Sequence, residues 1–141
     1  MVITLLLSIV FIGLGIIHFN WVFGGKWGFQ ESLPTNRNGE KVLNPKTIDC
    51  LIVGFFLIVF GMFYFLKLGL ITLQMPHKIS TIAGWTIPII FLLRAVGEFN
   101  YIGFFKQVKG TEFAKLDSKY FSPLCLIVGL LGIITQINTG I

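Results

Sequence analysis

ISTIAGWTIPIIFLLRAVGEFNY, residues 79–101, is the stretch whose reading decides the fold. From Ile79 to Leu93 it carries no charge, and then Arg94 and Glu98 arrive one helical turn apart. Crossing a bilayer core takes about 20 mainly apolar residues, so the run reads as a membrane helix. Positions i and i+4 share a helix face, which puts both charges on one face below the bilayer surface. Ionisable groups at that depth are costly; they face protein, pair with each other or mark a site. Pro88 kinks the run mid-span, a break that neighbouring helices can satisfy. Beyond it Arg94, Gly97, Glu98 and Tyr101 fall at helical spacing on one face.

Three further segments match it. With residues 2–23, 47–66 and 121–138, the expected 79–103 helix makes four spans and leaves no chain for a soluble domain. Of the 141 residues, 55% are hydrophobic and 12% charged, and mean hydropathy is +0.85. A soluble domain carries roughly twice that charge. Fifteen Phe and sixteen Gly agree, since Gly is commoner in membrane helices than in soluble ones. The expected fold is all-α: one polytopic four-helix transmembrane bundle over residues 1–141. The first segment has no positive leader and no small-residue cleavage pattern, so a retained helix is expected rather than a signal peptide. Asn44-Pro45 and Ser122-Pro123 read as capped starts of the second and fourth helices, with Asp49 in an early turn near the positive end of the dipole.

The net charge of +5 is unevenly placed. Lys26, Arg37, Lys41 and Lys46 fall in the first loop, and Lys106, Lys109, Lys115 and Lys119 in the third; the second has only Lys67 and Lys78. The positive-inside rule then puts loops 24–46 and 104–120 in the cytoplasm and both termini outside. Basic residues so distributed report topology and contact with anionic lipid, and exclude nucleic acid as a partner. Cys50 and Cys125, near the cytoplasmic ends of their helices, are expected as reduced thiols, and no CxxC is present to suggest thiol exchange. His18 and His77 lie on opposite sides, so no metal site is expected, and no cofactor. In the third loop aromatics alternate with lysines, and Thr111-Glu112 can open a short amphipathic helix in the headgroup plane.

The chain also repeats itself. Cys50-Leu51-Ile52-Val53-Gly54 recurs as Cys125-Leu126-Ile127-Val128-Gly129, and Phe19-Asn20-Trp21 as Phe99-Asn100-Tyr101. His18 and Glu98 stand immediately before the second pair. Two matches in one order point to two parallel helical-hairpin repeats, about residues 1–66 and 79–138, entering from the same side. His18 and Glu98 are then expected at equivalent depths, facing across the bundle. Arg94 aligns with Leu14 and breaks the symmetry. Cys50 and Gly54, with Gly61 beyond, form a small-residue face suited to close helix packing.

His18, Asn20, Trp21, Asp49, Arg94, Glu98, Asn100 and Tyr101 therefore gather as candidates for ligand binding or proton coupling; no catalytic residue is assigned. His18 alone has an ordinary pKa near neutrality, which makes it the natural proton carrier. The simplest alternative is an Arg94–Glu98 structural clamp. Residues 15–21 (GIIHFNW), 24–28 (GGKWG), 93–99 (LRAVGEF) and 113–126 (FAKLDSKYFSPLCL) resemble an uncharacterised family of small bacterial four-helix integral membrane proteins, over nearly the whole chain. In that family Tyr often precedes the Trp where this chain has Asn20, and Asp often replaces Glu98. The first departure lowers the weight on Asn20; the second keeps the carboxylate. The resemblance implies four helices and no reaction. Three functions compete: binding or proton-coupled transport of a small molecule, a membrane enzyme acting on a lipid or isoprenoid, and an accessory structural subunit. The partners expected are membrane lipids, a small-molecule or lipid ligand, and a second copy of the chain in a homo-oligomer.

Overall fold

The computed structural model describes residues 1–139, and its regular elements are helical. They are α1 (Val2–Val22), α2 (Thr47–Leu66), α3 (His77–Val96), α4 (Glu112–Leu116) and α5 (Ser122–Asn138). A π turn, Asp117–Phe121, joins α4 to α5. Among the described residues four helices are long and apolar enough to cross a membrane: α1, α2, α3 and the continuous Glu112–Asn138.

A cap and two boundaries differ from expectation, each for a local reason. α2 spans Thr47–Leu66 as expected, but its cap is Lys46 and not Asn44, because the Asp49 carboxylate accepts the Lys46 N–H at 2.8 Å. α3 ends at Val96 instead of 103. Gly97 there has φ +82, a left-handed backbone that stops a helix. A Cβ on it would lie 1.8 Å from the Ile102 carbonyl oxygen, so only glycine fits. The third-loop helix does not stand alone in the headgroup plane: capped by Thr111, whose Oγ1 accepts the Ala114 N–H at 3.1 Å, it runs on into α5. Pro123 has no N–H to donate and its ring crowds the preceding turn; the wider π turn ahead of it accommodates both.

The chain divides into two compact units. The first holds Met1–Gly25, Pro45–Ile87 and residues 131–139. In it α1 packs against α2 with Ser8 beside Gly61 and Gly15 beside Gly54, so the two run antiparallel. Lipid is as apolar as leucine, so close packing and interhelical hydrogen bonds hold such a pair. Both are present: Gly54 approaches the His18 Cβ and the Gly15 carbonyl, and the Ser8 hydroxyl donates to the Gly61 carbonyl at 2.9 Å. Phe11 stacks on Tyr64 with centroids 5.6 Å apart, and both are buried. Lys67 Nζ donates to the buried Gln136 Oε1 at 2.7 Å, and burial pushes its ammonium below the ordinary lysine range.

The second unit holds Lys26–Asn44 and Pro88–Leu130. Its first-loop part folds into a tight hairpin, in which Asn36 Oδ1 accepts the N–H groups of Asn38 and Glu40 at 2.9 and 3.0 Å. α4 packs on the 3-10 turn Gln30–Ser32, and Leu33, Val108, Phe113, Ala114, Ala95 and Val128 are buried. Gly129 of α5 lies against Leu92 and the Pro88 carbonyl of α3.

Candidate functional site

Arg94 does not pair with Glu98. Its Nη2 donates to Asp117 Oδ1 at 2.9 Å, because α3 has ended before Glu98 and the i+4 relation is lost. Nη1 is buried and has no partner among the described residues, so one arm of the guanidinium holds the contact. Asp117 is fully buried. Its Oδ2 accepts from the Gly103 N–H at 2.9 Å, from Lys106 Nζ at 3.1 Å and from the Ser122 hydroxyl at 3.0 Å. Lys106 is buried with it and also donates to the Gly103 carbonyl at 2.9 Å and Ser118 Oγ at 2.6 Å. A buried carboxylate is tolerated only when paired and hydrogen-bonded throughout, and this one is. The cluster ties α3, the 97–108 loop and the π turn together. Its donors leave Asp117 little freedom for another partner. Asp117 and Lys106 were not among the candidates read from sequence; their signal was a lone Asp inside FAKLDSKYF with a lysine 11 residues earlier in the same loop.

Glu98 takes a different post. Exposed, its Oε1 accepts the backbone N–H groups of Asn100 (3.3 Å), Tyr101 and Ile102 (3.0 Å). This carboxylate cap turns the chain back sharply after α3. The Asn100 carbonyl then accepts the N–H groups of Gln107 and Val108 at 3.0 and 2.9 Å, closing the loop. Between Glu98 and Asn100, Phe99 has φ 69, the one non-glycine residue with positive φ among those described.

The other candidates lie in the first unit. The Leu14 carbonyl can only accept, so His18 Nδ1–H donates to it, at 2.8 Å. The imidazole sits 4.6 Å from the Trp21 ring. The Asn20 amide lies over Gly25, whose N–H donates to the Asn20 carbonyl at 2.8 Å. Asn20 thus closes the exit of α1, as Asp49 closes the entry to α2.

The structure brings Asn100 and Tyr101 together with a stretch the sequence did not single out. They line a hollow of about 400 Å³ with Asn36, Arg37, Asn38 and Val108. Asn36, Arg37, Asn38 and Val108 recur in the wall of an open groove of about 860 Å³ between the first-loop hairpin and residues 107–112. Amides (Asn36, Asn38, Gln107), hydroxyls (Thr35, Thr111), two cations (Arg37, Lys109) and one carboxylate (Glu112) face it. Asn36 is committed to Glu40, its Nδ2 donating to Oε2 at 2.9 Å. Such a wall can hydrogen-bond a polar solute and neutralise one acidic group. Among the described residues no cluster of His, Cys, Asp and Glu could hold a metal ion.

A family model described as "Protein of unknown function (DUF3995)" matches residues 11–132. No curated protein and no solved structure matches the chain.

Proposed function

We infer a function from geometry for this chain, which belongs to the DUF3995 family of proteins of unknown function: it binds a small polar molecule bearing an acidic group, in the groove of its loop unit. The groove carries this reading. Its volume falls in the range of small-molecule sites, about 300–1,000 Å³. Most such sites are enclosed; this one is open and ringed mainly by polar side chains, which suits a hydrated ligand held weakly. Solvent-exposed charge contacts contribute about 0–1 kcal/mol each, so a dissociation constant in the micromolar-to-millimolar range is expected.

Both basic loops, 24–46 and 104–120, contribute residues to this one groove. That supports their lying on one side of the membrane, and their positive charge assigns that side to the cytoplasm, with both termini outside. The ligand site then sits at the cytoplasmic ends of the spans, and of the original candidates Asn100 and Tyr101 line the hollow beside it. Transport needs a path through the spans as well as a site, so a flux assay in liposomes separates transport from binding.

Saturation-transfer NMR on the detergent-solubilised protein, against a panel of small carboxylates, phosphates and their neutral analogues, tests the proposal. An acidic compound should bind, and Arg37→Ala with Lys109→Ala should weaken it about tenfold, the equivalent of about 1.4 kcal/mol. Equal signals from acidic and neutral analogues, or none from either, overturn it.

A further inference from the structure

The 97–108 loop is braced at nearly every turn, yet it holds two large rings outward. Phe99 is 57% exposed and Phe105 63%, with ring centroids 6.3 Å apart and planes tilted by 44°. This is no slack segment whose rings wander. Glu98 caps three of its N–H groups. Phe104 N–H donates to the Ala95 carbonyl at 2.8 Å, and Gly103 N–H is fixed on buried Asp117. A bulky residue at positive φ is an outlier that persists only where its surroundings over-determine it. The fold therefore spends backbone strain to keep an aromatic pair displayed.

We propose that Phe99 and Phe105 form a wedge that seats in the bilayer on the loop side, just under the lipid headgroups. Two observations favour lipid over a protein partner. The pair follows directly on α3, an apolar span ending at Val96, so it emerges where that span meets the interface. In the same unit Lys109, Lys115 and Lys119 are exposed, and Lys119 Nζ stands 5.1 Å from the half-exposed Tyr120 ring. Aromatic bodies with adjacent lysines are the composition of a surface resting on anionic headgroups. The next two residues, Asn100 and Tyr101, line the hollow beside the groove. One turn thus faces lipid with its first ring and solute with its following residues, and Glu98 is the positioning residue for both.

Spin-label depth measurement tests this. In liposomes of phosphatidylcholine and phosphatidylglycerol, a nitroxide is placed by Phe99→Cys, Phe105→Cys or Lys109→Cys in a Cys50→Ala, Cys125→Ala background. Collisions with oxygen, which concentrates in lipid, should exceed those with a water-soluble nickel chelate at 99 and 105, and the order should reverse at 109. Glu98→Ala should shift the label at 99 toward nickel while circular dichroism stays helical. Nickel dominance at both 99 and 105 overturns the proposal, since the rings then face water. Protection from both reagents also overturns it, because the rings are then covered by protein. The label at 105 does not depend on Glu98, so it decides the matter even if Glu98→Ala fails to fold.

Discussion

At the scale of single residues, Asp117 organises the loop unit. Two cations, a backbone amide and a hydroxyl converge on its carboxylate. Asp117→Asn leaves Lys106 buried opposite a neutral amide, and breaking a buried pair costs about 3–5 kcal/mol. That loss should appear as a lowered melting temperature in detergent. Ser122→Ala removes one hydrogen bond and should cost about 1 kcal/mol in the same assay. A double-mutant cycle separates the two pairings that Arg94 could make. Coupling between Arg94→Ala and Asp117→Asn should be clear, and between Arg94→Ala and Glu98→Gln close to zero. Spacing alone pointed to Glu98, because in an unbroken helix i+4 neighbours meet. Gly97 breaks that helix, and its partner-choosing effect depends on a left-handed turn that hydropathy does not register. Asp117 lies 23 residues from Arg94, and no local pattern links positions so far apart.

At the scale of elements, the sequence was most informative about the spans. A long uncharged run in a bilayer has one economical conformation, the helix, because its backbone groups must pair internally. Ends were less legible, since local geometry chooses them: Asp49 made Lys46 the cap of α2 in place of Asn44, and Gly97 moved the end of α3. Gly97→Ala should destabilise the protein by at least about 1–2 kcal/mol, the cost of left-handed backbone for an L-residue. Limited proteolysis of the 97–108 loop would show the same change. The two CLIVG steps each begin in the first turn of a helix. Each places its glycine against the backbone of a preceding long helix: Gly54 on α1 and Gly129 on α3. Gly54→Leu and Gly129→Leu should each cost roughly 1–3 kcal/mol by overpacking, measured as detergent melting. A loss at only one of the two would argue against equivalent roles.

At the scale of the whole molecule, side of membrane is the quantity to measure. With cysteine-free protein as background, Asn38→Cys and Lys109→Cys should react with an impermeant maleimide from the same face of sealed vesicles, and Leu73→Cys from the other. Labelling of Asn38→Cys and Lys109→Cys from opposite faces would remove the shared groove. The groove itself was only half legible. Asn100 and Tyr101 stood out through the repeat, but they line only the hollow beside it, and nothing singled out Asn36–Asn38. Their meeting with residues 107–112 depends on how two loops fold together, and neither charge nor periodicity carries that information.

The Asp117 cluster also bears on how the chain is made. Synthesis runs from the N-terminus, so Arg94 and Lys106 leave the ribosome before the carboxylate that neutralises both. In a chain inserting into a bilayer, two cations without a counter-charge are expected to resist passage across it until residue 117 appears. Once Asp117 arrives and closes on them, reopening means stranding charge away from water. On that argument a single acidic residue is the latch, and Asp117→Asn should loosen the placing of the 97–108 loop, read as maleimide labelling of Lys109→Cys from both faces of sealed vesicles.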